Sequence, residues 1–262
     1  MKQNLPSQSK DILFPGFKGW IYLFSTFSFL FTSCARYYYA PNSVNIPLLA
    51  EKEAQINVQY LAGGISDGGE CQSAFAITSH FGGMLNMMLN GGNGEDLIYS
   101  SQSKTNMSYI EIGAGYFTPI KSNAIVFETY GGIGTGGVRN EHDPGNSKVR
   151  FTKLFIQPNI GVKSKNIEIG ISSRFSWTKH RVITTVPPEN EYFYELENII
   201  NNPSSIFWEP GVVFRAGGKK FKVQVQYTAS VNMSNSEDAI TQEEGYFAFG
   251  FNFPIQYIPK SQ

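Results

Sequence analysis

The sequence predicts an all-β protein: a closed antiparallel transmembrane β-barrel of about ten strands around a polar lumen. Three observations carry this expectation. Segments of period-two alternation recur from residue 54 to residue 257, and each keeps a single register. The polar faces hold Gly, Ser, Gln and Asn with isolated charges, whereas a solvated sheet face would carry many Lys and Glu. The connections alternate between tight and long, matching the short periplasmic turns and longer outside loops of outer-membrane barrels.

The strands are expected at 54–62, 70–79, 81–91, 107–117, 123–134, 149–163, 166–178, 206–216, 219–231 and 245–257. In the first, Ile56, Val58 and Tyr60 oppose Gln55, Asn57 and Gln59. In the seventh, Ile167, Ile169, Ile171, Phe175 and Trp177 share one face, and Glu168, Gly170, Ser172, Arg174 and Ser176 the other. The ninth sets Phe221, Val223, Val225 and Tyr227 against Lys222, Gln224, Gln226 and Thr228. The tenth sets Phe247, Phe249, Phe251, Phe253 and Ile255 against Ala248, Gly250, Asn252 and Gln256. Tight connections follow the second, fourth, sixth and eighth strands, and long ones occupy 92–106, 135–148, 179–205 and 232–244. A closed barrel satisfies every backbone group in hydrocarbon. Pro158, Pro210 and Pro254 are therefore expected near strand ends or bulges, since proline donates nothing to a ladder. Trp177, Trp208, Tyr227 and Tyr257 are candidates for interfacial belts.

A soluble barrel is the competing architecture. It would turn the apolar faces inward, as in a lipocalin-like protein binding an apolar ligand. Net charge is +0 over 262 residues, which gives no electrostatic argument for nucleic acid.

Ahead of the strands lies an N-terminal signal. Lys18 precedes the uncharged run from Gly19 to Phe31, and Thr32-Ser33 stand directly before Cys34. This order reads as residues 1–33 forming a lipoprotein signal peptide, with lipidation at Cys34. The run is short for a transmembrane helix, which needs about 20 apolar residues. An uncleaved anchor or a plain secretory signal are the other readings, and a Cys34–Cys71 disulfide is the rival fate of the thiol. Residues 34–53 are expected to be a periplasmic tether to a barrel over 54–262. An even strand number places both the N- and C-termini on the periplasmic side of the outer membrane, with the Cys34 lipid in its inner leaflet.

Several segments carry a resemblance. Tyr39-Ala-Pro-Asn-Ser-Val-Asn-Ile-Pro-Leu-Leu-Ala-Glu-Lys52, Ala74-Phe-Ala-Ile-Thr-Ser-His-Phe-Gly82, Gly115-Tyr-Phe117, Phe127-Glu-Thr-Tyr-Gly-Gly-Ile-Gly-Thr-Gly136 and Gln157-Pro-Asn-Ile-Gly161 are the residues concerned. Over residues 30–175 the chain resembles uncharacterised small outer-membrane β-barrel lipoproteins of Bacteroidota-type bacteria. The resemblance implies outer-membrane location and no known chemistry. The chain departs from the pattern in two ways. It lacks an acidic run after Cys34 that would suggest surface export, and it lacks a terminal aromatic residue.

Motifs for chemistry are sparse. Gly132, Gly134 and Gly137 match G-x-G-x-x-G, but a turn-rich stretch follows where a dinucleotide site needs a helix. Such glycines serve a barrel wall equally well. His80 is expected in a turn, and His142 and His180 in outside loops, where a His–Asp pair could orient a base. Glu141, His142 and Asp143 could hold a metal, although solvated loop residues are the plainer reading. No enzyme activity, cofactor or metal is expected. Glu111, Glu128, Glu168, Arg174, Glu209 and Arg215 should form a lumen charge network, with Lys222 on the same side. Such a network would either lock the barrel shut or line a narrow solute path. Residues 189–202 have helix-like spacing and could form a lid or a contact surface. The expected protein is a monomer whose partners are outer-membrane lipid, the covalent lipid on Cys34, and the barrel-assembly and lipoprotein-processing machinery. Its expected role is structural, or surface interaction through the long loops; a small pore or transporter is the alternative.

Overall fold

A computed structural model describes residues 37–96, 101–120, 124–142, 145–186, 192–234 and 240–257. The signal and Cys34 lie outside them.

Alternation becomes an up-and-down sheet because every strand has a polar face and an apolar one. The strands are β1 (Glu53–Gly63), β2 (Asp67–Ala76), β3 (Phe81–Asp96), β4 (Ser101–Ile120), β5 (Ile125–His142), β6 (Gly145–Lys163), β7 (Ile167–Val186), β8 (Ser204–Gly217), β9 (Lys222–Ala229), β10 (Val231–Asn232) and β11 (Gly245–Gln256). Each is antiparallel to its neighbours. The ring closes where β1 pairs with β11, from Glu53↔Gln256 to Gly63↔Tyr246. Strands β9 and β10 are one stave, so the barrel has 10 staves.

The interruption at Ser230 falls opposite Glu209–Pro210, and the register is the same on either side: Gly211↔Thr228 and Trp208↔Val231. Pro158 acts similarly. The β6–β7 ladder skips from Ile156↔Phe175 to Asn159↔Ser172, while the β5–β6 ladder runs through Thr129↔Pro158. A residue's N–H and C=O point to the same neighbour in an antiparallel sheet, so a proline disturbs one ladder only. The Ser172 hydroxyl donates to the Pro158 carbonyl at 3.4 Å across that gap. Pro254 lies near the end of its strand, as expected; Pro158 and Pro210 lie in strand interiors instead.

The faces are sorted as the pattern requires. Phe247, Phe249, Phe251 and Phe253 point outward, and Tyr246, Ala248 and Asn252 are buried inside. Val223, Val225 and Tyr227 point out, and Lys222, Gln224 and Gln226 in. The exposed apolar residues continue around the wall, as in a membrane-spanning barrel. No described helix is long and apolar enough to cross a membrane.

Three stretches expected as loops, 92–106, 135–148 and 179–205, are partly wall; in the last, β7 runs on to Val186. The β3–β4 hairpin pairs up to Asp96↔Ser101, and β4–β5 from Ser103↔His142 downward. Strands β4 and β7 have 20 residues each, about twice the 9–11 needed to cross a bilayer. Apolar alternation on the outer face stops near Arg150 and Lys179, but backbone pairing continues. The β4–β7 side therefore rises beyond the belt at the mouth bearing the 64–66, 187–203 and 233–244 connections. This is the loop mouth; the opposite end is the turn mouth.

Helix α1 (Tyr192–Asn201) occupies part of the 179–205 connection. Leu196 and Ile199 are buried against the aromatic residues of the loop mouth, so α1 packs as a lid there.

Candidate functional site

The lumen is filled by the chain's own residues 37–50. Tyr37, Tyr38, Tyr39, Asn42, Ser43, Val44, Asn45, Ile46, Leu48 and Leu49 are fully buried. This corrects the tether expectation for these residues. A proline-punctuated stretch without alternation carries unpaired backbone groups, and the barrel interior supplies their partners.

The path of the plug has a direction. At the loop mouth Tyr38 N–H donates to the Thr241 carbonyl at 2.8 Å, and Glu243 N–H donates to the Tyr39 carbonyl at 2.9 Å. At the turn mouth, Ala50 N–H donates to Glu53 at 2.9 Å, at the start of β1. Tyr257 N–H donates there to the Lys52 carbonyl at 3.0 Å. The first and last described residues, Tyr37 and Tyr257, thus lie at opposite mouths, whereas the sequence reading put both termini on one side.

Each expected charge points into the lumen and meets either the plug or another wall residue. Arg174 makes a fork with Glu111, Nη2 to Oε1 at 3.0 Å and Nη1 to Oε2 at 3.3 Å. Its Nη1 also donates to Asn42 of the plug at 3.0 Å, and its Nε to Gln157 at 2.9 Å. Glu111 accepts further bonds from Asn42, Asn86 and Tyr109. Glu209 accepts from the Tyr39 hydroxyl and, at 2.6 Å, from Ser176. Lys153 lies between the two acids, 3.8 Å from Glu111 and 3.6 Å from Glu209. Arg215 bonds Glu168 at 3.2 Å and the plug carbonyl of Ile46 at 2.8 Å, and Lys222 closes on the same Glu168. Every ion here is buried and is paired with an opposite charge through at least one hydrogen bond or close ion contact, the condition under which buried charge is tolerated.

Glu128 has no cation within ion-pair distance among the described residues. Two successive plug amides serve instead, Leu48 N–H at 3.1 Å and Leu49 N–H at 2.7 Å, with Asn159 at 3.1 Å. Leu48 has φ 51°, an uncommon conformation for a bulky residue. The left-handed turn aims both N–H groups at one carboxylate, the geometry of an anion nest. Glu70 is held in the same manner by Ser43 N–H at 3.2 Å and Gln59 at 3.0 Å.

Glycines in the wall make room for the plug. A Cβ on Gly161 would stand 2.6 Å from Leu48 Cδ2, and one on Gly170 2.8 Å from Ile46 Cγ2. Gly161→Val is expected to displace Leu48 and lower stability by about 1–3 kcal/mol, the usual cost of overpacking. Urea titration of the refolded barrel checks this; an unchanged midpoint would mean that the plug does not seat against β6.

The loop mouth closes aromatically. The Tyr39 ring stacks on Phe207 at 4.2 Å between centroids and meets Phe151 edge-on at 5.5 Å. His180, expected in a loop, is instead inside β7 and 2% exposed, against Tyr39 and Phe151. Glu243 collects the amides of Gly64, Ile65 and Ser66 at 2.8–3.0 Å, fastening the β1–β2 turn. Burial raises its carboxyl above the usual range, against the pull of those N–H donors.

The remaining motifs are placed as follows. His80 sits in the β2–β3 turn, stacked on Tyr116. His142 ends β5, so it is not in a loop; Glu141 is tied to Arg139 at 2.9 Å, and Asp143 lies outside the described residues. No group of three or more metal-ligating side chains occurs among the described residues. Gly132, Gly134 and Gly137 belong to β5, which runs on to His142 with no helix after it, so the dinucleotide geometry is missing there. Cys71 is an exposed free thiol on β2.

Sequence reasoning missed Lys153, Lys163, Glu53, Glu70 and the polar residues of the plug. Lys153 had a signal, being in register with Gln157 and Asn159 on β6. Phe151 and Phe155 share that face and disguise it.

Fold and lumen together define a class: a closed β-barrel with an apolar exterior and a self-plugged polar interior. No family model and no curated protein matches the chain. Among solved structures it is similar to the translocator domain of the autotransporter NalP from Neisseria meningitidis, at 6% identity and TM-score 0.39, covering 77% of this chain and 86% of that one. It is also similar to the transport unit of the autotransporter AIDA-I from Escherichia coli, at 12% identity and TM-score 0.39, covering 90% and 97%. The β domain of the Bordetella autotransporter BrkA gives 11% identity and TM-score 0.31, covering 78% and 97%. At these scores the likeness carries no inference about function.

Proposed function

We propose that this chain is a non-enzymatic outer-membrane β-barrel lipoprotein. Its sealed barrel acts as a structural element and presents its loop-mouth surface outside the cell. The observation that carries the reading is the plug: residues 37–50 occupy the lumen and bond its charged groups, leaving no use for those charges in a solute path. The outward apolar belt and the asymmetry of short turns and tall walls support insertion in the outer membrane, with the loop mouth outward. The resemblance to Bacteroidota-type barrel lipoproteins agrees with this.

Cys34 is three residues ahead of Tyr37, a reach of about 10 Å of extended chain. A lipid on Cys34 then belongs at the loop mouth, in the outer leaflet rather than the inner one. Cys34→Ala is expected to abolish labelling by a palmitate analogue, and retained labelling would remove the lipoprotein assignment. In planar bilayers the intact protein is expected to show no conductance steps. Stable single-channel steps would favour the pore.

A further inference from the structure

The outer wall of β5–β7, just above the apolar belt, carries cations that the fold does not use. On β6 the outward series runs Lys148, Arg150, Thr152, Leu154, Ile156, and on β7 it runs Arg181, Lys179, Trp177, Phe175. Arg150 stands directly opposite Arg181, and Arg139 directly opposite Lys148. Like charges facing each other across a ladder destabilise a sheet. Among the described residues, Lys148, Arg150, Lys179 and Arg181 have no ion-pair partner. Among the described residues of β5–β7, the acid on this face is Glu141, already bound to Arg139 and opposite Lys104. Repulsion of this kind is relieved by a polyanion resting on the patch.

Two further features meet here. The β6–β7 register shifts at Lys148/Val149, leaving Ile183 without a partner on β6; bulges of this sort re-aim side chains. A groove of about 1270 Å³ also runs along the outer wall, from apolar Met87, Leu89 and Ile110, over Gly137, to Lys148 and Arg150. It joins an oily trough to a basic rim.

We propose that this patch and groove bind a phosphorylated lipid of the leaflet at the loop mouth. An acyl chain would lie along Met87, Leu89 and Ile110, and phosphate groups among Lys148, Arg150, Lys179 and Arg181. The site rests on the membrane-spanning reading given above. Its ligand class follows from complementarity alone: several cations without partners, fixed on a rigid wall beside apolar surface.

The test uses the full-length protein refolded in detergent micelles, with a multi-acyl, bis-phosphorylated disaccharide lipid and its dephosphorylated form as probes. Retention per barrel is read by native mass spectrometry. The wild type should hold the phosphorylated probe in preference, and lose it as salt rises. The variant Lys148→Gln/Arg150→Gln/Arg181→Gln should bind it roughly a hundredfold more weakly, since each cation near a phosphate surface contributes about a factor of five. Lys52→Gln/Lys219→Gln/Lys220→Gln, at the turn mouth, should bind as the wild type does. Equal retention of the two probes, or unchanged binding by the first variant, would overturn the site. Heat-modifiable migration of each variant shows separately whether the barrel is folded. Failure of the wild type to insert into vesicles would instead remove the membrane reading itself.

Discussion

Replacing Arg174 with Met is expected to destabilise the folded barrel by about 3 kcal/mol, the low end of the range for breaking a buried ion pair. The change leaves Glu111 buried without its fork partner. Lys153 at 3.8 Å and the donors Asn42, Asn86 and Tyr109 remain, which keeps the cost from rising further. The double variant Glu111→Gln/Arg174→Met should cost less than the two single changes added together, because neither charge is then stranded. Unfolding in urea from lipid vesicles, followed by fluorescence of Trp177 and Trp208, reads all three. A loss under about 0.5 kcal/mol for Arg174→Met, as for an ordinary surface change, would mean that the lumen is wet and the pair screened.

Removing residues 37–49 should have the larger functional effect, turning a silent barrel into a conducting one. The deletion strips Asn42 from Arg174, the Ile46 carbonyl from Arg215, and the Leu48 and Leu49 amides from Glu128. Water must take those places, and the result is a charged, hydrated path. Planar bilayers should show conductance steps from the deleted form and none from the intact chain. A deleted form that inserts but stays silent would mean that wall side chains alone close the lumen.

The wall was legible in the sequence because alternation is local. Phe247 to Phe253 declare their face without reference to any other strand, and the ladder β1↔β11 follows once every stave has two faces. The expected lumen charges were legible for the same reason. The plug was not, since nothing in Tyr39-Ala-Pro-Asn-Ser-Val-Asn-Ile-Pro has a period. Its fold is set by partners far along the chain: Val44 N–H bonds Thr228, and Asn45 bonds Asn86. The tall walls escaped notice because periodicity reports the solvent on each face rather than backbone pairing. Beyond the belt both faces of β4 and β5 carry polar residues, such as Thr105, Asn106, Arg139 and Asn140, while the ladder continues unbroken. His180 went to the wrong place through that error, since a loop assignment implied solvent around a residue packed on Tyr39.

A nitroxide scan along β11 in bilayers tests the plugged, lipid-facing barrel most directly. Probes at Phe247, Phe249 and Phe251 should be relaxed strongly by oxygen and weakly by a water-soluble nickel complex. Probes at Tyr246, Ala248 and Asn252 should be immobile and shielded from both, because the lumen is full. Nickel access at the second set would contradict a sealed lumen, and loss of oxygen contrast at the first set would contradict the membrane-facing exterior.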